Sequence, residues 1–130
     1  FVMMSHISLP NVLDDQTPAS LSHEIVTDIL KKKLRFSGII ITDALNMGAI
    51  AQNYSSGEAA VMAVEAGVDM LLMPADFQTA YEGLINAVYE GRVSEERIDE
   101  SVLRILQVKR KMREMSSKND EEKLQSGQEE

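Results

Sequence analysis

Apolar residues follow two patterns along this chain. Short unbroken runs alternate with longer stretches in which apolar positions fall three or four apart. Phe1 to Ile7 is the first run, ended by Leu9-Pro10-Asn11; Ile39-Ile40-Ile41 is the second; Val68 to Met73 is the third, stopped by Pro74. Runs apolar at successive positions predict strands covered on both faces. After the first run, Pro18 and Ser20 favour a helix start. Leu21, Ile25, Ile29 and Leu30 then form a stripe at helical spacing. Lys31, Lys32 and Lys33 fall in its last turn, where the helix dipole favours cations, and read as a solvated face.

The segment 46–54 has room for a short turn of helix. Ser55-x-x-Glu58 is a capping-box pattern, and the helix it opens would bury Ala59, Met62 and Ala66 before Gly67 ends it. Asp76 can cap a helix that runs through Leu84, Ile85 and Val88 to Gly91. Ser94, Glu95 and Glu96 open the last helix, with Ile98, Val102, Ile105 and Val108 on its core face. From Ser116 to Glu130 the apolar pattern is gone, which predicts a polar, acidic, disordered tail.

Strand and helix therefore alternate three times before an extra helix. That order predicts parallel strands joined by right-handed crossovers, with two poorly covered sheet edges. A (β/α)8 barrel needs eight such units and ~250 residues. The chain has 130 residues, enough for one domain with a core. It opens mid-strand, without a visible signal peptide, so it reads as a piece of something longer.

Charge and composition narrow the partners. A net charge of −8 argues against nucleic acid and anionic membrane. No apolar run nears the ~20 residues needed to span a bilayer. With no cysteine, disulfide and thiolate chemistry are excluded, while the compartment stays open.

The candidate chemistry centres on Asp43, where the second apolar run stops. A parallel strand of an α/β fold opens toward solvent at that end, and chemistry is placed there. The carboxylate is a candidate nucleophile, base or metal ligand; equally, it could cap the next helix. His6 stands at another strand end, where it either lines the same mouth or hydrogen-bonds a neighbouring loop. Met47 and Met73 follow strand ends and either touch a ligand's apolar face or fill core. His23 is expected at the surface of its helix. Asp69 opens a strand at the far end, where a stability role is the default. Asp14 and Asp15 lack a His or third carboxylate at ligand spacing, so no metal is expected.

The string Phe36 to Met47 resembles the nucleophile segment of family 3 glycoside hydrolases, in which a strand of the form Gly-Val-Ile-x-Ser/Thr-Asp carries the catalytic aspartate. Asp43-Ala44-Leu45 is similar to the β-N-acetylhexosaminidase, NagZ-like branch; a Trp after the Asp is typical of the β-glucosidase branch. Met4-Ser5-His6-Ile7-x-Leu9-Pro10 resembles the sixth barrel strand, and Pro18 to Ser22 the helix start after it. Ala66-Gly67-Val68-Asp69-Met70 resembles the eighth strand, and the segment from Ala87 to Leu106 the closing helices.

This resemblance implies an α/β fold made of the last three β/α units of a TIM-type barrel plus a closing helix, over residues 1–115, with 116–130 as the tail. It implies a retaining hydrolase that removes terminal β-linked N-acetylglucosamine from peptidoglycan fragments or similar glycans, in the cytoplasm or outside a bacterial cell. Asp43 is then the nucleophile, and His6, Met47 and Met73 line the sugar site; no cofactor is implied. The acid/base His and Asp of that branch lie in a Lys-His-Phe-Pro-Gly-His-Gly-type segment that this sequence lacks. Alone, the chain is expected to be inactive, and to pair with itself or with the missing N-terminal half of the barrel.

Two other readings compete. A receiver-like signalling domain would use Asp43 as phosphoacceptor and Asp14-Asp15 as its acidic pair. It would also need two more strands and a Lys where Met73-Pro74-Ala75 stands. A non-catalytic half-barrel would act through its exposed edges by self-association, and needs nothing from Asp43.

Overall fold

The computed structural model describes residues 1–13 and 15–126, with side chains as far as 116. Three parallel strands form one sheet in the order β1-β2-β3: β1 is Val2–Met4, β2 is Ile40–Ala44 and β3 is Met70–Leu72. A 3-10 turn (Ala19–Leu21) and a π-helix (Glu24–Lys33) connect β1 to β2. α1 (Gly48–Ala51) and α2 (Ser56–Ala66) connect β2 to β3, and α3 (Phe77–Tyr89) and α4 (Glu95–Ser126) follow.

α2 lies at the centre of the packing because its side chains are small. Gly57, Ala59, Ala60, Val61, Ala63, Val64 and Ala66 are all buried. Its ends are written locally. The Ser55 hydroxyl accepts the Glu58 amide, and Gly67 ends the helix at φ 112°, a conformation that disfavours any side chain. α3 approaches so closely that a Cβ on Gly83 would stand 2.7 Å from the Gly57 Cα.

That contact sets which face of α3 is buried. α3 buries Ala80 and Ala87, while Ile85 is 40% exposed. Contact through small residues turns Tyr81 and Ile85 outward and leaves Leu84 and Val88 partly buried. Among the described side chains of α4, Ser101 is buried, while Val102, predicted on the core face, is exposed. Tyr81, Leu84, Ile85, Val88 and Ile98 consequently line an open apolar cleft of about 630 Å³ between the two helices. Met62 of α2 is only partly buried.

The strands show a second departure. Ile40 and Thr42 are fully buried, with Ile40 packed among Val26, Leu45, Ala63 and Val68. The opposite sheet face carries Met3, 56% exposed, beside its partly exposed register partner Ile41. Cover on both faces was expected, but no described element covers Met3. β1 and β3 are also shorter than their apolar runs, since pairing to β2 sets strand length.

Other predictions need smaller corrections. The helix after Pro18 has π spacing, with the Leu34 amide bonded to the Ile29 carbonyl; an apolar stripe fixes the buried face but not the hydrogen-bond spacing. In the stretch read as a disordered tail, the backbone of 116–126 continues α4, and 127–130 lies outside the described residues. Within it, Glu121 to Gln125 are good helix formers without an apolar face.

At the start of β3 lies a buried polar cluster. The Asp69 side chain has no solvent exposure. One carboxylate oxygen accepts the Ile40 amide at 3.0 Å; the other accepts the Ser101 hydroxyl at 2.7 Å and the Arg104 guanidinium. Arg97 donates to Ser101 and to the Val64 and Val68 carbonyls. Lys31 is partly buried nearby and is not a simple solvated cation. Burial lowers its pKa first; Asp69 opposes that shift, and Arg97 and Arg104 add to it. Burial lowers Arg97 in the same way.

Replacing Asp69 with Ala leaves the Arg104 guanidinium, the Ser101 hydroxyl and the Ile40 amide without their acceptor. The expected loss is about 2–4 kcal/mol, below the full cost of breaking a buried pair because Arg104 keeps some solvent contact. Urea unfolding of wild type and Asp69→Ala checks this; equal midpoints would contradict it.

Candidate active site

β2 and β3 do not pair evenly. Ile41 faces Met70, but Ala44 faces Leu72, so β2 carries one residue more than β3 between those pairs. The extra residue makes a bulge at Thr42–Asp43. Bulges break the ladder and re-aim side chains. Here the Thr42 hydroxyl repairs the break by accepting the Leu72 amide at 2.9 Å. Thr42 is fully buried, so no water competes for that bond. Asp43 therefore stands at the carboxyl end of the middle strand, immediately after a distortion braced by its neighbour.

Asp43 is partly buried, and its Oδ1 accepts the Ala44 amide at 2.8 Å. No other side chain of the described residues is recorded in a hydrogen bond with it. It does not cap α1, whose N-cap is Met47 without a side-chain bond. The turn after Asp43 is closed by the Met47 amide on the Ala44 carbonyl, at 3.0 Å. The next two amides, of Leu45 and Asn46, reach the carbonyls of Leu72 and Met73 at the end of β3. Met73 adopts φ 46°, uncommon for a long side chain, and is 57% exposed. Met47 is exposed as well. Both methionines thus flank the mouth, each with its backbone fixed and its side chain free.

His6 is 8% exposed and follows β1. Nδ1 lies 2.7 Å from the Ser20 hydroxyl, and Nε2 lies 3.0 Å from the Ala44 carbonyl. Both ring nitrogens are engaged within the chain, so a ligand could meet only the carbon edge of the ring. Beside it a polar groove of about 570 Å³ runs between the loops after β1 and β2, lined by Gln16, Thr17, Asn53 and Tyr54.

The remaining titratable groups fall away from this point. His23 is exposed and 3.5 Å from Asp28. Asp15 holds the Thr17 amide, and Asp14 lies outside the described residues. Asp76 caps α3, and the Thr79 amide holds its carboxyl below the usual carboxylate range. A carboxyl kept ionised in that way is a poor proton donor. Among the described residues, no group of three or more His, Cys, Asp or Glu could share a metal ion.

Residues 1–108 match the profile of the Glycosyl hydrolase family 3 N terminal domain. The chain belongs to glycosyl hydrolase family 3. Beta-hexosaminidase A of Pseudoalteromonas piscicida is 30% identical over 135 residues, covering 89% of this chain and 23% of that protein. The Cellulomonas fimi beta-N-acetylglucosaminidase/beta-glucosidase is 30% identical over 117 residues, covering 83% of this chain and 21% of that protein. The structure of a family 3 beta-N-acetylglucosaminidase from Paenibacillus sp. str. FPU-7 aligns with a TM-score of 0.80 at 42% identity, over 84% of this chain and 21% of that one. The chain thus spans less than a quarter of the length of these family members. The family match does not favour the phosphoacceptor reading.

Two parts of this arrangement were not read from sequence: the bulge at Thr42 and the engagement of His6 by Ser20. The only local signal for the first is a hydroxyl residue between a buried apolar run and an Asp. For Thr42, the expected outcome is specific. Thr42→Val strands the Leu72 amide and costs about 1–3 kcal/mol, whereas Thr42→Ser retains the acceptor and most of the stability. Thermal unfolding of the three proteins tests this, and a Val variant as stable as wild type would remove the brace.

Proposed function

We propose that this chain forms part of the catalytic site of a retaining β-glycoside hydrolase, with Asp43 as the nucleophile. The observation that carries the reading is a partly exposed carboxylate at the bulged carboxyl end of the middle parallel strand, pinned by one backbone amide. Ionised, Asp43 can attack the anomeric carbon of a bound sugar. The aglycone leaves with the bonding pair, and a glycosyl ester forms on the carboxylate. Water then displaces the carboxylate and regenerates it. Met47 and Met73 are the apolar side chains free to pack against the sugar ring. The substrate class we assign is a terminal β-linked N-acetylglucosamine. The local string Asp43-Ala44-Leu45, without a Trp, and the names of the relatives support it.

The three strands are proposed to be the last strands of a larger closed sheet. Met3 and its partly exposed partner Ile41 support this, as apolar residues on a sheet face where no described element covers Met3. The apolar cleft between α3 and α4 points the same way. A retaining mechanism also needs an acid to protonate the leaving group. His6 has both nitrogens committed and Asp76 is held ionised, so neither is suited to that role. The acid/base is assigned to the rest of the barrel, and the isolated chain is expected to be inactive.

An aryl N-acetyl-β-glucosaminide tests the assignment. The isolated chain is expected to show no turnover. In the longer enzyme carrying these residues, Asp43→Asn is expected to lower kcat on the order of 10⁴-fold or more, as removal of a nucleophile does. Full activity in that variant would end the nucleophile reading. Turnover by the isolated chain would show that the acid/base lies within it.

A further inference from the structure

His6 bridges two parts of the chain that the ladder does not join. Its Nε2 meets the Ala44 carbonyl, an oxygen that can only accept, so Nε2 carries the proton. Nδ1 then presents a lone pair, and the Ser20 hydroxyl must donate to it. Ser20 is fully buried on the 3-10 turn, so this bond has no competitor from solvent. The neighbours thus fix one tautomer of the ring.

The target of this pair is the residue directly after Asp43. The Ala44 amide holds the Asp43 carboxylate, and the Ala44 carbonyl receives both His6 and the Met47 amide. Each side of Ala44 is therefore committed. β1 and β2 are already in register through three pairs from Val2–Ile40 to Met4–Thr42. The His6 bond lies beyond that ladder and adds nothing to its register. It constrains the turn that decides where Ala44 presents its amide, and so where the carboxylate points.

We infer that His6 is a positioning residue for Asp43, set in the Nε2–H tautomer by the Ala44 carbonyl through which it acts, with its ring held in place by Ser20. This rests on the reading of Asp43 as the nucleophile. His6 neither touches sugar through its nitrogens nor moves a proton. Its contribution is orientation, where a displacement near 1 Å can cost on the order of 10²-fold in rate.

The test uses His6→Ala, His6→Gln and Ser20→Ala. In the longer enzyme, kcat and KM on an aryl N-acetyl-β-glucosaminide are measured. In this chain, the ¹⁵N signals of His6 and hydrogen exchange at the Met47 amide are recorded. His6→Ala is expected to lower kcat on the order of 10²-fold with KM little changed, and to speed Met47 exchange. His6→Gln keeps a side-chain N–H for the Ala44 carbonyl and should restore most of both. Ser20→Ala removes the partner of Nδ1 and should loosen the ring while the Ala44 carbonyl keeps the proton on Nε2, with an intermediate loss of kcat.

An enzyme whose KM rises in His6→Ala while kcat holds would overturn the inference, because the ring would then be touching substrate. Unchanged kcat and unchanged exchange would overturn it too. Should Asp43→Asn stay active, the nucleophile reading fails and the role inferred for His6 fails with it. The tautomer and exchange data would then still report on the His6–Ala44 bond itself.

Discussion

The fully buried carboxylate of Asp69 anchors the arrangement on which the site depends. Through one oxygen it holds the amide that opens β2; through the other it holds Ser101 and Arg104 of α4. Its own amide returns to the Ile40 carbonyl. The starts of two strands and one helix are thus tied to a single side chain. With the strands pinned at that end, the extra residue of β2 has to be absorbed further along. It is absorbed at Thr42–Asp43, where the Thr42 hydroxyl stands in for the missing ladder acceptor. A structural ion cluster at one end of the sheet and the partly exposed carboxylate of Asp43 at the other are consequences of the same pairing.

Packing above the sheet obeys a different constraint. α2 is made of small residues, which lets α3 come within backbone distance at Gly57 and Gly83. That close approach is compatible with a core only if larger side chains turn elsewhere. Leu84 and Val88 are only partly buried against Val61, Val64, Ala87 and Val93, Ile85 lines a cleft, and Met3 lies on a sheet face that no described element covers. The chain spans less than a quarter of the length of the relatives it matches.

Local chemistry was legible in the sequence, and long-range geometry was not. The caps at Ser55, Asp76 and Ser94 and the end at Gly67 could be read because each depends on residues a few positions apart. The parallel order and the position of Asp43 at a strand end follow from the alternation of runs and stripes. Val102 was assigned to the core because periodicity gives a face but not its partner. The bond from Leu72 to Thr42 spans 30 residues, and those of His6 to Ser20 and Ala44 span 14 and 38. No window of sequence contains such pairs. The resemblance to family 3 supplied the family, and the structure supplied the bulge and the tautomer.

Together these features describe a carboxylate held ready at the mouth of a parallel sheet, with its neighbours fixed on both sides. The central claim is that this carboxylate forms a covalent bond to the sugar. The most direct measurement is peptide mapping by mass spectrometry of the longer enzyme after incubation with a fluorinated aryl β-glycoside, which slows release of the glycosyl ester. The account predicts one added glycosyl mass on the peptide containing Asp43. A glycosyl mass on any other residue, or an enzyme that turns over the normal substrate with inversion at the anomeric carbon, would contradict it.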